Sequence, residues 1–328
     1  MQQRPLGPFN VSAIGLGCMN LSHAYGVPPS PELGAQVLLK ALDLGVTLFD
    51  TAALYGFGAN ETLVGKVLSA HRSKFVLASK CGMTGVDGKR VIDGRPATLK
   101  ATCEAALQRL RTDVIDLYYL HRYDKQVPIE DSVGALADLV REGKIRMIGL
   151  SEVSATTLHR AHAVHPITAV QNEYSLWSRN VEIAVLDACQ ALGVAMVAFS
   201  PVARGFFSGT VRDANALDAK DIRRAMPRFQ GDNLVANLKL LDGLNALAAE
   251  AGCTPNQLAL AWLLAQGQHI IPIPGTTSMA HLEEDVAAAD VVLSPATLQR
   301  ADALINQRTV AGPRYNAATQ TEIDTEEF

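Results

Sequence analysis

Residues Val46–Tyr55 read VTLFDTAALY: an apolar run stops at an Asp-Thr pair, and a tyrosine follows five residues after the aspartate. The same plan returns in FVLASK, Phe75–Lys80, and in VIDLYYLHR, Val114–Arg122. Working outward, short β-type runs recur at Ala13–Leu16, Val46–Phe49, Phe75–Ala78, Val114–Leu120, Ile145–Leu150, Ile167–Val170, Val194–Phe199 and Ile270–Ile273. They are apolar on both faces, as strands covered by helices must be. Helical spacing of three to four fills most intervals. Leu63, Val64, Val67 and Leu68 follow a candidate cap at Asn60. Val133, Leu136, Leu139 and Val140 precede a stop at Gly143, and Thr254-Pro255 opens a helix through Trp262. Strands and helices in this alternation predict an α/β fold, a (β/α)8 TIM barrel, with a doubly wound parallel sheet as the rival.

Nothing in composition divides the 328 residues, so residues 1–328 are expected to form one domain. Arg4–Phe9 and Val11–Ala13 flank a Gly/Pro/Asn turn and predict an N-terminal β-hairpin closing one end. Gly205–Asn233 is a long patternless loop of the kind that is usually functional. Residues 313–328 read as a tail, either mobile or folded over the site. Apolar residues make up 48% and charged residues 19%, with a formal charge of −4. That balance supplies a large core and no electrostatic reason to expect nucleic acid or an anionic membrane. The cysteines, Cys18, Cys81, Cys103, Cys189 and Cys253, are odd in number and form no CxxC pair, which disfavours disulfides and zinc. MQQRPLGPFN has no apolar signal core and no run approaches the ~20 residues of a membrane span, so the expected compartment is the cytoplasm. A monomer or weak homo-oligomer is expected.

Each apolar run ends in polar or glycine-rich residues: Asp50-Thr51, Ser79-Lys80, His121-Arg122, Ser151-Glu152, Gln171-Asn172, Ser200 and Gly275-Thr276-Thr277. In a barrel these ends share one face, where barrel active sites lie. A tyrosine titrates near pH ~10 and needs help to give up its proton. A lysine beside it would lower its pKa, an aspartate would hold the lysine, and a neutral histidine would steer a carbonyl oxygen. Each residue alone is more often structural; their joint placement at strand ends makes Tyr55, Asp50, Lys80 and His121 the candidate catalytic set. GxGxxG is absent, and His159, His162 and His165 near one helix lack an acidic partner, so neither a Rossmann site nor a metal is expected.

With FDTAALYG at Phe49–Gly56, ASK at Ala78–Lys80 and YYLHR at Tyr118–Arg122, the chain resembles the aldo-keto reductase superfamily. HRYDKQVPIED and QNEYSLWSR are similar to the branch of plant and microbial aldehyde, pyridoxal and alkaloid reductases. The resemblance implies a (β/α)8 barrel, a catalytic tetrad of Asp50, Tyr55, Lys80 and His121, and an extended nicotinamide cofactor. It implies cofactor contacts at Gly17, Cys18, Met19 and Asp50, carboxamide contacts at Ser151, Glu152 and Gln171, and stacking on Phe199. Glu152 departs from the family's asparagine: when ionised it accepts but cannot donate. Ser200, Pro201, Val202, Ala203, Gly205 and Ser208 match the loop over the pyrophosphate. Gly275, Thr277, Glu284 and Asp285 match the adenosine end, and His281, or Arg223 and Arg224 from the long loop, would add charge. Thr277 and Ser278 replace the family's Lys-Arg; NADPH remains the preferred cofactor, with NADH the alternative. Tyr25, Leu54, Met83, Tyr123 and Trp177 are candidate pocket walls for a small-molecule carbonyl substrate. A cofactor-binding regulatory subunit resembling channel β subunits is the alternative reading.

Overall fold

The computed structural model describes residues 1–86 and 89–328. Twelve strands are described: β1 (Gln3–Leu6), β2 (Phe9–Ser12), β3 (Leu16–Gly17), β4 (Leu48–Asp50), β5 (Val76–Cys81), β6 (Met83–Val86), β7 (Lys89–Ile92), β8 (Ile115–Leu120), β9 (Ile145–Ser151), β10 (Ile167–Glu173), β11 (Ala195–Phe199) and β12 (Ile270–Pro272). The eight strands β3, β4, β5, β8, β9, β10, β11 and β12 pair in parallel, each with its neighbour in that order. Gly15 N–H to Pro272 O and Gly17 N–H to Pro274 O, both 3.0 Å, join the first strand to the last. The ring is thereby closed into a (β/α)8 barrel. At that seam an added Cβ on Gly17 would stand 2.8 Å from Ile273 O, and one on Gly275 2.6 Å from Gly17 O. Two glycines are therefore what lets the backbones meet there.

Around the ring lie helices α1 (Pro31–Asp43), α2 (Ala59–Leu68), α3 (Pro96–Leu110), α4 (Ile129–Arg141), α5 (Ala155–Val164), α6 (Val185–Leu192), α7 (Gly231–Glu250), α8 (Pro255–Ala265), α9 (Met279–Ala287), α10 (Pro295–Leu304) and α11 (Ala317–Gln320). Residues alternate strictly between two cores. Leu48, Val76, Ala78, Leu117, Tyr119, Met147, Ala169, Ala195, Val197 and Ile271 fill the barrel interior. Their neighbours Phe49, Leu77, Tyr118, Ile148, Val170 and Met196 pack outward against the helices. This two-residue period is what a strand buried on both faces requires.

Leu6 and Val11 of the hairpin join the interior core, so β1–β2 plugs the strands' N-terminal end. Gly7 takes φ +56° at the first position of its two-residue turn, where a Gly-X hairpin turn needs positive φ. Arg4 fastens the plug, donating to Ile270 O (3.0 Å), Leu264 O (2.7 Å) and Gly267 O.

Thr254 caps α8 in a reciprocal capping box with Gln257, and α4 ends before Gly143 at φ +73°. Asn60 does not cap α2: Gly58 precedes that helix, and the Asn60 amide donates instead to Cys18 O (2.8 Å) and Ser22 Oγ (3.0 Å). The long loop after β11 is built of one-turn 3-10 segments rather than regular structure. The C-terminal segment is packed: Arg314 and Tyr315 are buried, and Asp324 accepts from Ser154 and Thr157 at the start of α5. The hairpin β6–β7 has no counterpart in the sequence reading, although Asp87-Gly88 is a hairpin dipeptide; those two residues lie outside the described structure.

Candidate active site

The interior phase of each strand carries straight into its polar end. Leu48 points inward, Phe49 outward, and Asp50 inward again; Val76 and Ala78 put Lys80 in the same phase, and Leu117 and Tyr119 do so for His121. Ser151, Gln171 and Phe199 follow from Met147, Ala169 and Val197 by the same rule. Tyr55 is delivered by a tight turn after β4 in which Gly56 and Phe57 have φ of +56° and +52°.

Lys80 is completely buried, and all three of its donors are used. Its Nζ pairs with the Asp50 carboxylate and donates to Thr51 O (2.8 Å) and Tyr55 Oη (3.2 Å). Asp50 Oδ2 also accepts from the Gln171 amide at 2.8 Å. An ammonium has no acceptor. Tyr55 Oη must therefore receive from Lys80 and aim its own proton elsewhere. Among the described residues the Tyr55 hydroxyl has no acceptor, and its side chain lines the cleft. The imidazole of His121 stands edge-on to the Tyr55 ring at 5.8 Å.

Burial pushes the Tyr55 hydroxyl upward; Lys80 pulls it down and Asp50 raises it again, with a net upward direction. Lys80 thus acts in the expected direction, but desolvation outweighs it, and the phenol keeps its proton at neutral pH. Burial opposes the Lys80 charge, but Asp50 and Tyr55 outweigh it and raise its pKa. Burial, then Arg122 and Lys80, hold His121 well below its ordinary value, so its imidazole is neutral. Its Nδ1 is buried without a partner among the described residues. The arrangement supplies one protonated hydroxyl, a cation behind it and a neutral ring beside it.

Asp50, Tyr55 and His121 line a cleft of about 630 Å³, with Lys80 buried behind them. Gly17, Met19, Ser151, Gln171 and Phe199 stand on its wall, with Ser200, Pro201, Val202, Gly205 and Ser208 from the loop after β11. Gly275, Thr277, His281 and Asp285 continue it, and Tyr25, Leu54 and Met83 complete the sequence-expected lining. Arg223 is on the wall, but its guanidinium is paired with Asp221 (2.6 Å) and lies 5.0 Å from the Tyr25 ring.

Other expected residues stand off the cleft. Cys18 is buried beneath it, and Ala203 is buried in a turn at φ +52°. Glu152 lies just past β9, where a φ of +53° turns the chain out of the strand. Its Oε1 accepts from Glu173 N–H (2.9 Å) and its Oε2 pairs with Arg314 (2.7 Å), which corrects the carboxamide contact expected of it. Glu284 faces the Asn256 amide at 3.4 Å, outside the lining. Trp177 is not a pocket wall: it packs edge-on to Phe206 at 4.1 Å and stacks on Phe229 at 5.7 Å. Tyr123 packs against the outer core instead.

The structure adds cleft residues that sequence reasoning missed: Arg90, Arg122, Arg204, Asn256, Tyr315 and Asn316. Arg122 carried a signal, directly following His121 at a strand end. Arg90 and the tail residues come from a hairpin and a terminus whose course no local pattern announces. Arg204 and Arg314 join Glu152 and Glu173 in a buried cluster, with Arg204–Glu173 at 2.7 Å and Arg314–Glu173 at 3.2 Å. Arg204 and Arg314 hold the Glu173 carboxyl far below the usual range against its burial.

A barrel with this strand-end set defines a class, and the chain belongs to the aldo/keto reductase family, whose profile it matches over residues 13–306. It is 44% identical over 310 residues to a probable aldo-keto reductase 1 of Glycine max, covering 94% of this chain and 89% of that one. The glycerol dehydrogenase of Gluconobacter oxydans superposes with a TM-score of 0.86 at 27% identity, covering 95% and 97% of the two chains. An aldo-keto reductase of Klebsiella pneumoniae solved with NADPH gives 0.72 at 28% identity, covering 96% and 99%. No described helix is long and apolar enough to cross a membrane.

Proposed function

We propose that this protein reduces the carbonyl of an aldehyde or ketone with NADPH, Tyr55 giving the proton. The observation that carries the reading is the Lys80 ammonium donating to Tyr55 Oη, which directs the phenolic proton away from Lys80. As that proton leaves, Lys80 stabilises the phenolate and Asp50 keeps the lysine charged and aimed. His121, neutral by burial, offers a hydrogen bond to the carbonyl oxygen.

The wall fits the cofactor in two respects. Asn256 Oδ1 is buried without a partner among the described residues, on a lining shared with Asp285, and suits an adenine amine. Thr277 and His281 flank the N-terminus of α9, where a phosphate finds backbone donors and a favourable dipole. Ser151 and Gln171 would hold the carboxamide, and Phe199 would stack on the nicotinamide ring. Bound NADPH supplies the hydride. Arg223, neutralised by Asp221, adds little charge for the 2′-phosphate.

The test is steady-state oxidation of NADPH and of NADH with an aldehyde and ketone panel. Turnover with NADPH preferred is the expected result. A protein that binds NADPH tightly but turns over none of the panel contradicts the reading and favours a sensing role.

A further inference from the structure

Two arginines on the cleft wall have no substrate contact in the chemistry above. Arg122 follows His121 directly, and its Nη1 donates to His121 O (2.6 Å) and Ser151 Oγ (3.3 Å). Its Nε and Nη2 have no protein partner, and no carboxylate pairs with it, among the described residues. Arg90, on β7, also lines the cleft and is paired with Glu322 at 2.6 Å. That pair is exposed, 43% at the arginine, so it is weak and readily exchanged.

The buried Lys80 and the other arginines of the wall are spent. Lys80 faces Asp50, Arg204 faces Glu173 and Arg223 faces Asp221. What remains beside Tyr55 and His121 is a half-buried guanidinium whose Nε and Nη2 donors have no protein partner among the described residues. Arginine in that state matches a carboxylate better than any neutral group. We propose that Arg122, with Arg90 exchanging from Glu322, makes this pocket a receptor for carbonyl compounds that carry a carboxylate. The acid would dock on Arg122 while the carbonyl faces Tyr55 and His121. This inference rests on the carbonyl-reductase reading and adds its substrate class. Burial first, and then charges that include Arg122 and Arg90, keep the His121 ring neutral.

The test uses the full chain with NADPH and compares 4-formylbenzoate and 4-oxobutanoate with their methyl esters, by kcat/KM and by NADPH Kd. The expected result is a preference for at least one acid over its ester on the order of 10-fold or more, carried by KM and eroded by salt. In R122Q the acid-to-ester ratio should fall by a comparable factor, and in R90Q, a substitution on the exposed hairpin, by a smaller one. Esters used as well as both acids by the wild type overturn the inference, and leave the reductase reading intact. An R122Q loss shared equally by acid and ester, with NADPH Kd raised, also overturns it and places Arg122 on the cofactor. If the wild type reduces neither acids nor esters, the reductase reading itself fails.

Discussion

The barrel mouth holds two buried charge clusters that differ in how they are made. Asp50–Lys80 joins adjacent strands and reaches Tyr55 directly, with Asp50 on the cleft wall and Lys80 buried behind it. Glu152–Arg314–Glu173–Arg204 ties two strand ends to the β11 loop and to the C-terminal tail, with no contact to Tyr55. In both, charge is out of water, so removing one partner should cost about 3–5 kcal/mol by stranding the other. Equal burial does not imply equal function. The first cluster is expected to set reactivity, and the second to hold the wall on which Tyr55's substrate rests.

Lys80→Met tests the comparison with the largest effect. It should lower stability by about 3–5 kcal/mol and turnover by about 10²–10⁴-fold, measured by denaturant unfolding and by NADPH oxidation. Arg314→Met should cost similar stability, because Glu152 loses its cation. Its kcat should stay within about tenfold of wild type while KM rises, since Tyr315, Asn316 and Thr319 of the tail line the cleft. A turnover loss as deep as that of Lys80→Met would erase the distinction.

Asp285 is the contrast to both clusters, a buried carboxyl without a cation among the described residues. Burial, then Glu284, pushes it up to about 8. Its folded-state pKa lies above the unfolded one, so its contribution is fully present below about pH 4 and is lost as pH rises through about 8. Asp285→Asn should therefore raise Tm by a few degrees (roughly) at pH 8 and leave it nearly unchanged at pH 4, read by calorimetry. The smallest effect is expected for pH on catalysis. With His121 held below its ordinary value and Tyr55 above, reductive kcat should be level between about pH 6.5 and 10. A descending limb near neutrality would mean that another group titrates.

The first cluster was legible in the sequence because parity carries it: an apolar strand of known phase predicts which polar residue at its end turns inward. Asp50, Lys80, His121, Ser151 and Gln171 all obey that rule. Glu152 lies one residue past β9 at φ +53°, where parity no longer applies, and only family resemblance assigns it to the cofactor site. The second cluster was not legible. Arg314 meets Glu152 across a separation of 162 residues, and only the folded tail brings them together. Trp177 and Tyr123 misled for a related reason: beyond a strand end phase is lost, and loop packing decides where an aromatic ring goes. Spacing reveals the charge beside Tyr55, which does lower its pKa, but not the depth of burial that outweighs it.

The most direct test of the account is a single-turnover comparison of wild type and Tyr55→Phe, each loaded with NADPH and mixed with an aldehyde, with NADPH Kd measured on both. Unchanged Kd with a hydride-transfer rate lowered by about 10²–10⁴-fold is the predicted result. A Tyr55→Phe rate equal to wild type, with cofactor bound normally, would contradict it and remove Tyr55 as the proton donor.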